Sequence, residues 1–185
     1  MKTSTKAFTL IELMLSLSIV SILLGGAIPS FSNIIENTKV DSNLQTLTQT
    51  LQLSRISAIT ENSMVTLCPS SSGMNCDSNW SSGYISFIDH NGDRQLNEKD
   101  TILTQVNNID KKLVIYWKVF GNKKSLQWLS TGITNHQNGS FILCYNNKKQ
   151  NARGLFITKA GRVRFSKDSN NDEIHENAVG KAIKC

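Results

Sequence analysis

The chain has 185 residues, of which 39% are hydrophobic and 7% aromatic. This length and composition suit one folded domain with an extension, and they exclude a globally disordered chain. The formal net charge is +6, and residues 144–185 hold nine basic and only four acidic side chains. Such an excess favours a polyanionic partner for the C-terminal part, although a solvated charged face would have the same composition.

A short basic leader precedes a long apolar stretch at the start of the chain. Lys2 and Lys6 lie in the leader, and residues 8–28 are mostly apolar. A helix over this stretch would be about 30 Å long, which is enough to cross a bilayer. A secretory signal and a plain transmembrane anchor both contain such a stretch. Neither offers a partner for Glu12, and an unpaired carboxylate is costly in lipid.

The stretch "KAFTLIELMLSLSIVSILLGGAIP", which begins at Lys6, resembles the N-terminus of the type IV pilin and pseudopilin superfamily. The resemblance implies that residues 1–7 are a leader peptide. A prepilin peptidase would remove it by cutting between Ala7 and Phe8, and the new N-terminus would then be methylated. Ala7 departs from the superfamily, which usually has glycine before the cut.

The same resemblance implies a role for Glu12 and a location for the protein. In this superfamily the corresponding carboxylate meets the N-terminal amine of a neighbouring subunit, which supplies the missing partner. Residues 8–30 would anchor the protein in the bacterial inner membrane as a single pass, with the head in the periplasm. They would later pack in the core of a type IV pilus on the cell surface. The implied partners are the prepilin peptidase and other major and minor pilins.

An amphipathic helical half is predicted beyond the apolar stretch, over residues 31–62. Its apolar stripe has helical spacing and consists of Val40, Leu44, Leu47 and Leu51, extended by Ile56 and Ile59. A stripe of this period indicates a helix with one face on a core. We therefore expect one long helix that begins near Phe8 and packs its second half on a globular head at residues 63–185.

The head is predicted to be rich in β-strands. Short apolar runs alternate with Gly, Asn and Ser clusters, as is typical of strands joined by turns. The predicted strands cover residues 64–68, 83–89, 101–106, 112–120, 125–130, 139–145, 153–158 and 162–166. The expected fold class is α+β, with the long N-terminal helix packed against an antiparallel sheet or sandwich, as in pilins.

Two further stretches carry a narrower resemblance. These are "FIDHNGDRQLNEKDTIL" at residues 87–103 and "GLFITKAGRVRF" at residues 154–165. Both are similar to the FimT/GspH branch of the minor pilins, rather than to the major pilins. The resemblance implies a helix followed by a strand-rich head.

Four cysteines favour disulfides rather than metal binding. An even number in a chain with an export-type start is typical of disulfides, and the spacings do not suit paired zinc knuckles. Three pairings are possible. Cys68 and Cys76 bracket the polar loop "CPSSSGMNC", so we predict that they pair and that Cys144 pairs with Cys185.

The stretch "DHNGDRQLNEKD" at residues 89–100 has two interpretations. Its acidic and amide side chains fall at positions one, three, five and twelve of an EF-hand-like calcium loop. The glycine expected at position six is replaced by Arg94, and predicted strands, not helices, flank the stretch. The alternative is a hairpin turn in which Asp and Asn side chains bind the local backbone.

No motif of a catalytic site is present, so we expect neither an enzyme nor a cofactor. His90, His136 and His175 all lie in polar, loop-like contexts. Neither GxSxG, nor HExxH, nor a glycine-rich phosphate loop occurs in the sequence.

The strongest candidate binding site is the segment "TKAGRVRF" at residues 158–165. Gly161 suits the tip of a hairpin, where a positive φ is required. In the strand that leaves this tip, Arg162 and Arg164 share one face, and Val163 and Phe165 the other. We expect the apolar pair in the core and the two guanidinium groups in solvent. The other predicted contacts are Lys148, Lys149, Arg153, Lys159, Lys167, Lys181 and Lys184.

This local pattern resembles the Gly-Arg-x-Arg element of the DNA-binding FimT proteins of natural transformation. The resemblance implies a minor pilin that binds extracellular double-stranded DNA non-specifically for uptake, through the phosphates that suit arginine forks. The alternative is a structural pseudopilin or priming subunit of a type IV pilus or type II secretion assembly, without a ligand of its own.

Overall fold

The structure is a computed structural model that describes residues 8–121, 123–177 and 179–185. The side chains of residues 24–30 are not described. The predicted leader and its cleavage site at Ala7 lie outside the described residues. The described chain forms two compact units, one ending at Thr38 and the other running from Lys39 to Cys185.

One long helix, α1 (Leu10–Thr60), takes up the first third of the chain. Thr9 begins it as a capping residue, because its hydroxyl accepts a hydrogen bond from the backbone N–H of Glu12 at 3.4 Å. The described side chains between Phe8 and Leu23, including that of Glu12, are exposed. Within the described residues, no helix is long and apolar enough to cross a membrane.

The second half of α1 buries a narrow stripe against the head. The stripe includes Val40, Leu44, Leu47, Leu51, Ser54 and Ala58. The predicted extension through Ile56 and Ile59 is wrong, since both are about half exposed. Helical periodicity carries the stripe from Leu51 to a serine instead. This serine, Ser54, is satisfied by a 2.6 Å hydrogen bond with the Ser86 hydroxyl.

The described residues of the head form eight strands. They are β1 (Val65–Pro69), β2 (Gly83–Ile88), β3 (Thr101–Asn107), β4 (Leu113–Val119), β5 (Leu126–Trp128), β6 (Gly139–Tyr145), β7 (Ala152–Ile157) and β8 (Val163–Phe165). Every strand predicted from the sequence is present, with bounds that differ by at most two residues. The α+β fold class is confirmed.

The strands form two antiparallel four-stranded sheets. The first has the order β3-β2-β1-β5, and the second has the order β4-β6-β7-β8. Alternate residues of both sheets, such as Leu67 and Leu143, join the α1 stripe in one buried cluster. The core therefore lies between the helix and the inner faces of the two sheets.

The outer face of each sheet is partly covered by a segment that ends in a disulfide. On the first sheet, Ile85 and Phe87 form a small buried cluster with Cys68, and Cys76 and Leu96 pack against it. On the second sheet, Ile183 of the C-terminal tail packs on a cluster that includes Ile142. Both predicted disulfides are present in the structure, Cys68–Cys76 and Cys144–Cys185.

Candidate nucleic-acid interface

The β7–β8 hairpin has a tight tip that only glycine fits. The Gly161 N–H donates to the Thr158 carbonyl at 2.9 Å, and the Thr158 N–H donates to the Arg162 carbonyl at 3.0 Å. Gly161 has a φ of +74°, and a Cβ added there would collide with the Gly132 carbonyl oxygen. Glycine is therefore required by both the backbone conformation and the close approach.

The tip is docked on the loop between β5 and β6 through its backbone. The Thr134 N–H donates to the Lys159 carbonyl at 3.0 Å, and Arg55 of α1 donates to the Gly132 carbonyl at 2.9 Å. The side chains of Lys159 and Arg162 remain exposed. The two exposed cations therefore extend from a hairpin tip whose backbone is fixed by hydrogen bonds to the β5–β6 loop.

The hairpin separates its arginines onto opposite faces. Arg164 lies opposite Phe156 in the β7–β8 pair. Arg153 lies three residues before Phe156 on β7, and side chains alternate along a strand, so it points to the other face. There it packs toward α1, with a side chain only 12% exposed and Nε at 3.1 Å from an Asp41 carboxylate oxygen. We therefore remove Arg153 from the predicted phosphate contacts.

Phe165 also differs from the expectation. Its side chain is 50% exposed rather than buried. Because β8 is the edge strand of its sheet, the side chain has a neighbour on one side only. It borders an open cavity whose other wall is α1, at residues such as Leu44 and Gln45. Val163 behaves as predicted and packs against the core.

A cross-strand row connects Arg164 to a lysine that the sequence did not single out. Arg164 is paired with Phe156, Phe156 with Ser140, and Ser140 with Lys118. All four side chains therefore stand on the outer face of the second sheet, in one line across its strands. Lys118 lies in a predicted strand, but its closeness to this row depends on the strand order β4-β6-β7-β8, which the sequence does not reveal.

A cationic groove of about 320 Å³ is lined by three members of this row, Lys118, Ser140 and Phe156. Phe156 and Ile142 line its floor, and lysines from β4 and from the tail, Lys118, Lys181 and Lys184, line its rim. The two tail lysines stay beside the sheet because Ile183 is buried on it and Cys185 is bonded to Cys144. The structure thus brings Lys181 and Lys184 together with the outer face that carries Arg164.

Lys148 and Lys149 lie elsewhere. They belong to the turn between β6 and β7, at the end of β7 opposite the Gly161 tip. Since β7 has six residues, the two ends are about 20 Å apart. These two predicted contacts therefore lie away from the hairpin tip, at the other end of β7.

Lys167 lies beside a group of acids that offsets its charge. Its carbonyl accepts the backbone N–H of Glu176 at 2.8 Å, and the carboxylate oxygens of Asp168, Asp172 and Glu176 lie within 4.8 Å of one another. Asp168 accepts three local backbone N–H groups, as acidic side chains do in loops. The surface is therefore less positive beside the loop that follows β8.

Comparison with known proteins identifies the family. The model of the type II transport protein GspH matches residues 43–171. The chain belongs to the GspH family. The model of the prokaryotic N-terminal methylation motif matches residues 2–28 of this GspH-family protein. No curated protein sequence matches it significantly.

Solved structures agree with the fold of this GspH-family protein. The type IV minor pilin FimU of Pseudomonas aeruginosa strain PAO1 is similar in one crystal form with a TM-score of 0.57 and 19% identity, over 71% of this chain and 91% of that one. A second crystal form of the same pilin gives a TM-score of 0.55 and 19% identity, over 69% and 92%. This likeness shows that the GspH-family protein has a pilin fold.

Membership in the family carries general consequences. Its members are minor pilins or pseudopilins of type IV pili or type II secretion, which interact with other pilins. The methylation motif implies processing by a prepilin peptidase, anchoring in the inner membrane and later assembly into a pilus. Of the predicted processing residues, Phe8 and Glu12 are exposed in the structure.

In this GspH-family protein, residues 89–100 have the geometry of a turn. Asp89 is buried and accepts the backbone N–H groups of Gly92 at 2.7 Å and Arg94 at 2.9 Å. It also accepts hydrogen bonds from the Thr66 hydroxyl and the Gln127 amide. Donors thus occupy both carboxylate oxygens, which favours the turn over the calcium loop.

The C-terminal tail is held by a neutral imidazole as well as by its disulfide. His175 Nδ1 lies 2.9 Å from the Ser166 hydroxyl, next to the end of β8. Burial, followed by the nearby Arg153 guanidinium, lowers the pKa of His175. The His175 imidazole therefore adds no positive charge beside β8 at neutral pH.

Proposed function

We propose that this minor pilin binds double-stranded DNA non-specifically, for uptake in natural transformation. The contacts come from the hairpin tip and from the groove beside it, at Lys159, Arg162, Arg164, Lys118, Lys181 and Lys184. The observation that carries the proposal is the cross-strand row, because it joins Arg164 to Lys118 on the same outer face as the tail lysines.

The dimensions of this surface suit a duplex backbone. Arg164 and Lys118 stand on strands separated by three inter-strand spacings, or about 14 Å. DNA carries one negative charge per roughly 1.7 Å of helix axis, so several phosphates fall within that width. Phosphate contacts position a protein without reading bases, which explains why we expect little sequence preference.

A salt titration of the full-length mature protein in nonionic detergent tests the proposal. If about five cations meet phosphates, the slope of log K against log salt concentration is about −4 to −5. Replacing both Arg162→Gln and Arg164→Gln removes two of these contacts and flattens the slope by about two units. Both side chains are exposed, so the melting temperature of the double variant should stay close to that of the wild type.

Arg153→Gln provides a matched control from the same hairpin. This substitution removes one positive charge from the opposite face, where Arg153 is paired with Asp41. It should lower the melting temperature and leave the salt slope unchanged. In cells, the double variant should lose transformation while pili still form. If it binds DNA as tightly as the wild type, the hairpin is not the site. If neither protein binds at low salt, the structural pseudopilin role replaces the proposal.

A further inference from the structure

Arg94 occupies a backbone position that arginine does not favour. It has a φ of +66°, in the left-handed region where glycine and asparagine are usual. The turn requires this conformation, because the Arg94 N–H donates to the buried Asp89 carboxylate. A non-glycine residue held in this region is strained, and such strain often accompanies a role for the side chain.

The Arg94 side chain ends in an unusual environment. Its Nη1 atom is buried and has no hydrogen-bond partner among the described residues. Burial lowers the pKa of Arg94, but a guanidinium remains protonated in proteins. A buried donor without an acceptor is unfavourable, and more so when it belongs to a charged group. An anion placed next to this guanidinium would offset part of the cost through charge attraction.

An open cavity of about 400 Å³ lies at this residue. Lys123 and Lys124 line it together with Arg94, and the wall also contains Asp77 and Asp93. Both of these carboxylates already accept hydrogen bonds from backbone N–H groups of their own loops. The lining thus combines three cations with two acids whose oxygens are engaged locally.

We propose that this cavity is an oxyanion site, in which a carboxylate or phosphate group binds between Arg94 and the Lys123–Lys124 pair. The guanidinium supplies planar, directed donors, and the two ammonium groups supply point charges. The site is separate from the DNA surface, because it lies at the β2–β3 turn and the segment before β5, not on the β7–β8 hairpin.

A thermal-shift titration of the full-length protein in nonionic detergent tests this site. Sodium phosphate and sodium acetate are each compared with sodium chloride at matched ionic strength. A ligand that binds the folded state raises the melting temperature as its concentration rises. We expect a saturable rise with phosphate, acetate or both, and the more effective salt identifies the preferred group.

The Arg94→Gly variant separates binding from folding. Glycine suits a φ of +66°, so the turn should persist. The apparent affinity for the anion should fall by about tenfold or more, which is the size of one lost hydrogen bond to a charged group. The double variant Lys123→Gln and Lys124→Gln, in which both replaced side chains are exposed, should also bind more weakly without a change in the melting temperature measured in chloride.

The outcomes distinguish this site from the DNA surface. The Arg162→Gln and Arg164→Gln double variant should keep the full response to the anion. If the wild type shows no rise beyond that in chloride, or if Arg94→Gly keeps the wild-type response, the inference is overturned. A response lost only in the hairpin variant would also overturn it, because the anion would then bind at the hairpin.

Discussion

Replacing Gly161 with alanine should destabilise the head by more than the backbone penalty of a side chain at positive φ. A residue with a side chain at φ +74° costs about 1–2 kcal/mol. The added Cβ would also collide with the Gly132 carbonyl and lie 3.0 Å from Arg55 Nε. Relieving this collision breaks the Arg55–Gly132 hydrogen bond, at a further cost of about 1–3 kcal/mol. The expected total loss is about 2–5 kcal/mol.

Gly121→Ala is the matched control, because Gly121 has a φ of +78° but open space around the position of a Cβ. It should cost only the backbone penalty of about 1–2 kcal/mol. Denaturant unfolding of both variants, followed by tryptophan fluorescence, measures the free energy of unfolding of each. If Gly161→Ala costs no more than Gly121→Ala, the docking of the hairpin tip on the Gly132 carbonyl does not contribute to stability.

Two further predictions concern other contacts of the head. The hydrogen bond from Lys39 holds the pKa of Asp110 at about 2, below its usual 3.8. The stabilisation by the Lys39–Asp110 pair is therefore present above about pH 4 and is lost as the pH falls toward about 2. Asp110→Asn should reduce this fall in melting temperature at acidic pH. An unchanged pH profile of the melting temperature would show that this pair does not cause the fall. Replacing both Cys144 and Cys185 with serine opens a link across 41 residues and should lower the free energy of unfolding by up to about 4 kcal/mol. Denaturant melts measure this loss, and equal stability of the variant and the wild type would show that the tail is held without its disulfide.

The elements of the head could be predicted from the sequence because their signals are local. Alternating apolar runs between Gly, Asn and Ser clusters were sufficient for all eight strands. The stripe on α1 was predicted correctly only as far as Leu51. Beyond it, the buried position is Ser54, whose partner Ser86 lies on β2. A polar residue in a core cannot be recognised from hydropathy, because its burial depends on a distant hydrogen-bond partner.

The candidate site was harder to predict because it depends on register and strand order. The composition indicated the basic hairpin, yet Arg153, one of the predicted contacts, lies on the face opposite to Arg164. One residue of register decides the face of every side chain on a strand. Lys118 was missed for a related reason, since its link to Arg164 passes through two other strands. Strand order and register are properties of the tertiary structure, and local sequence patterns do not predict them.

The groove is built from segments that are far apart in the chain, and this affects when it can form. Its walls come from Lys118 on β4, from Phe156 on β7 and from Lys184 near the C-terminus. Contacts between such distant segments form late in folding, because long loops must close first. During vectorial passage across a membrane, the strands emerge before the tail that completes the groove. A partially translocated or prematurely truncated chain would therefore lack the tail lysines and have an incomplete groove.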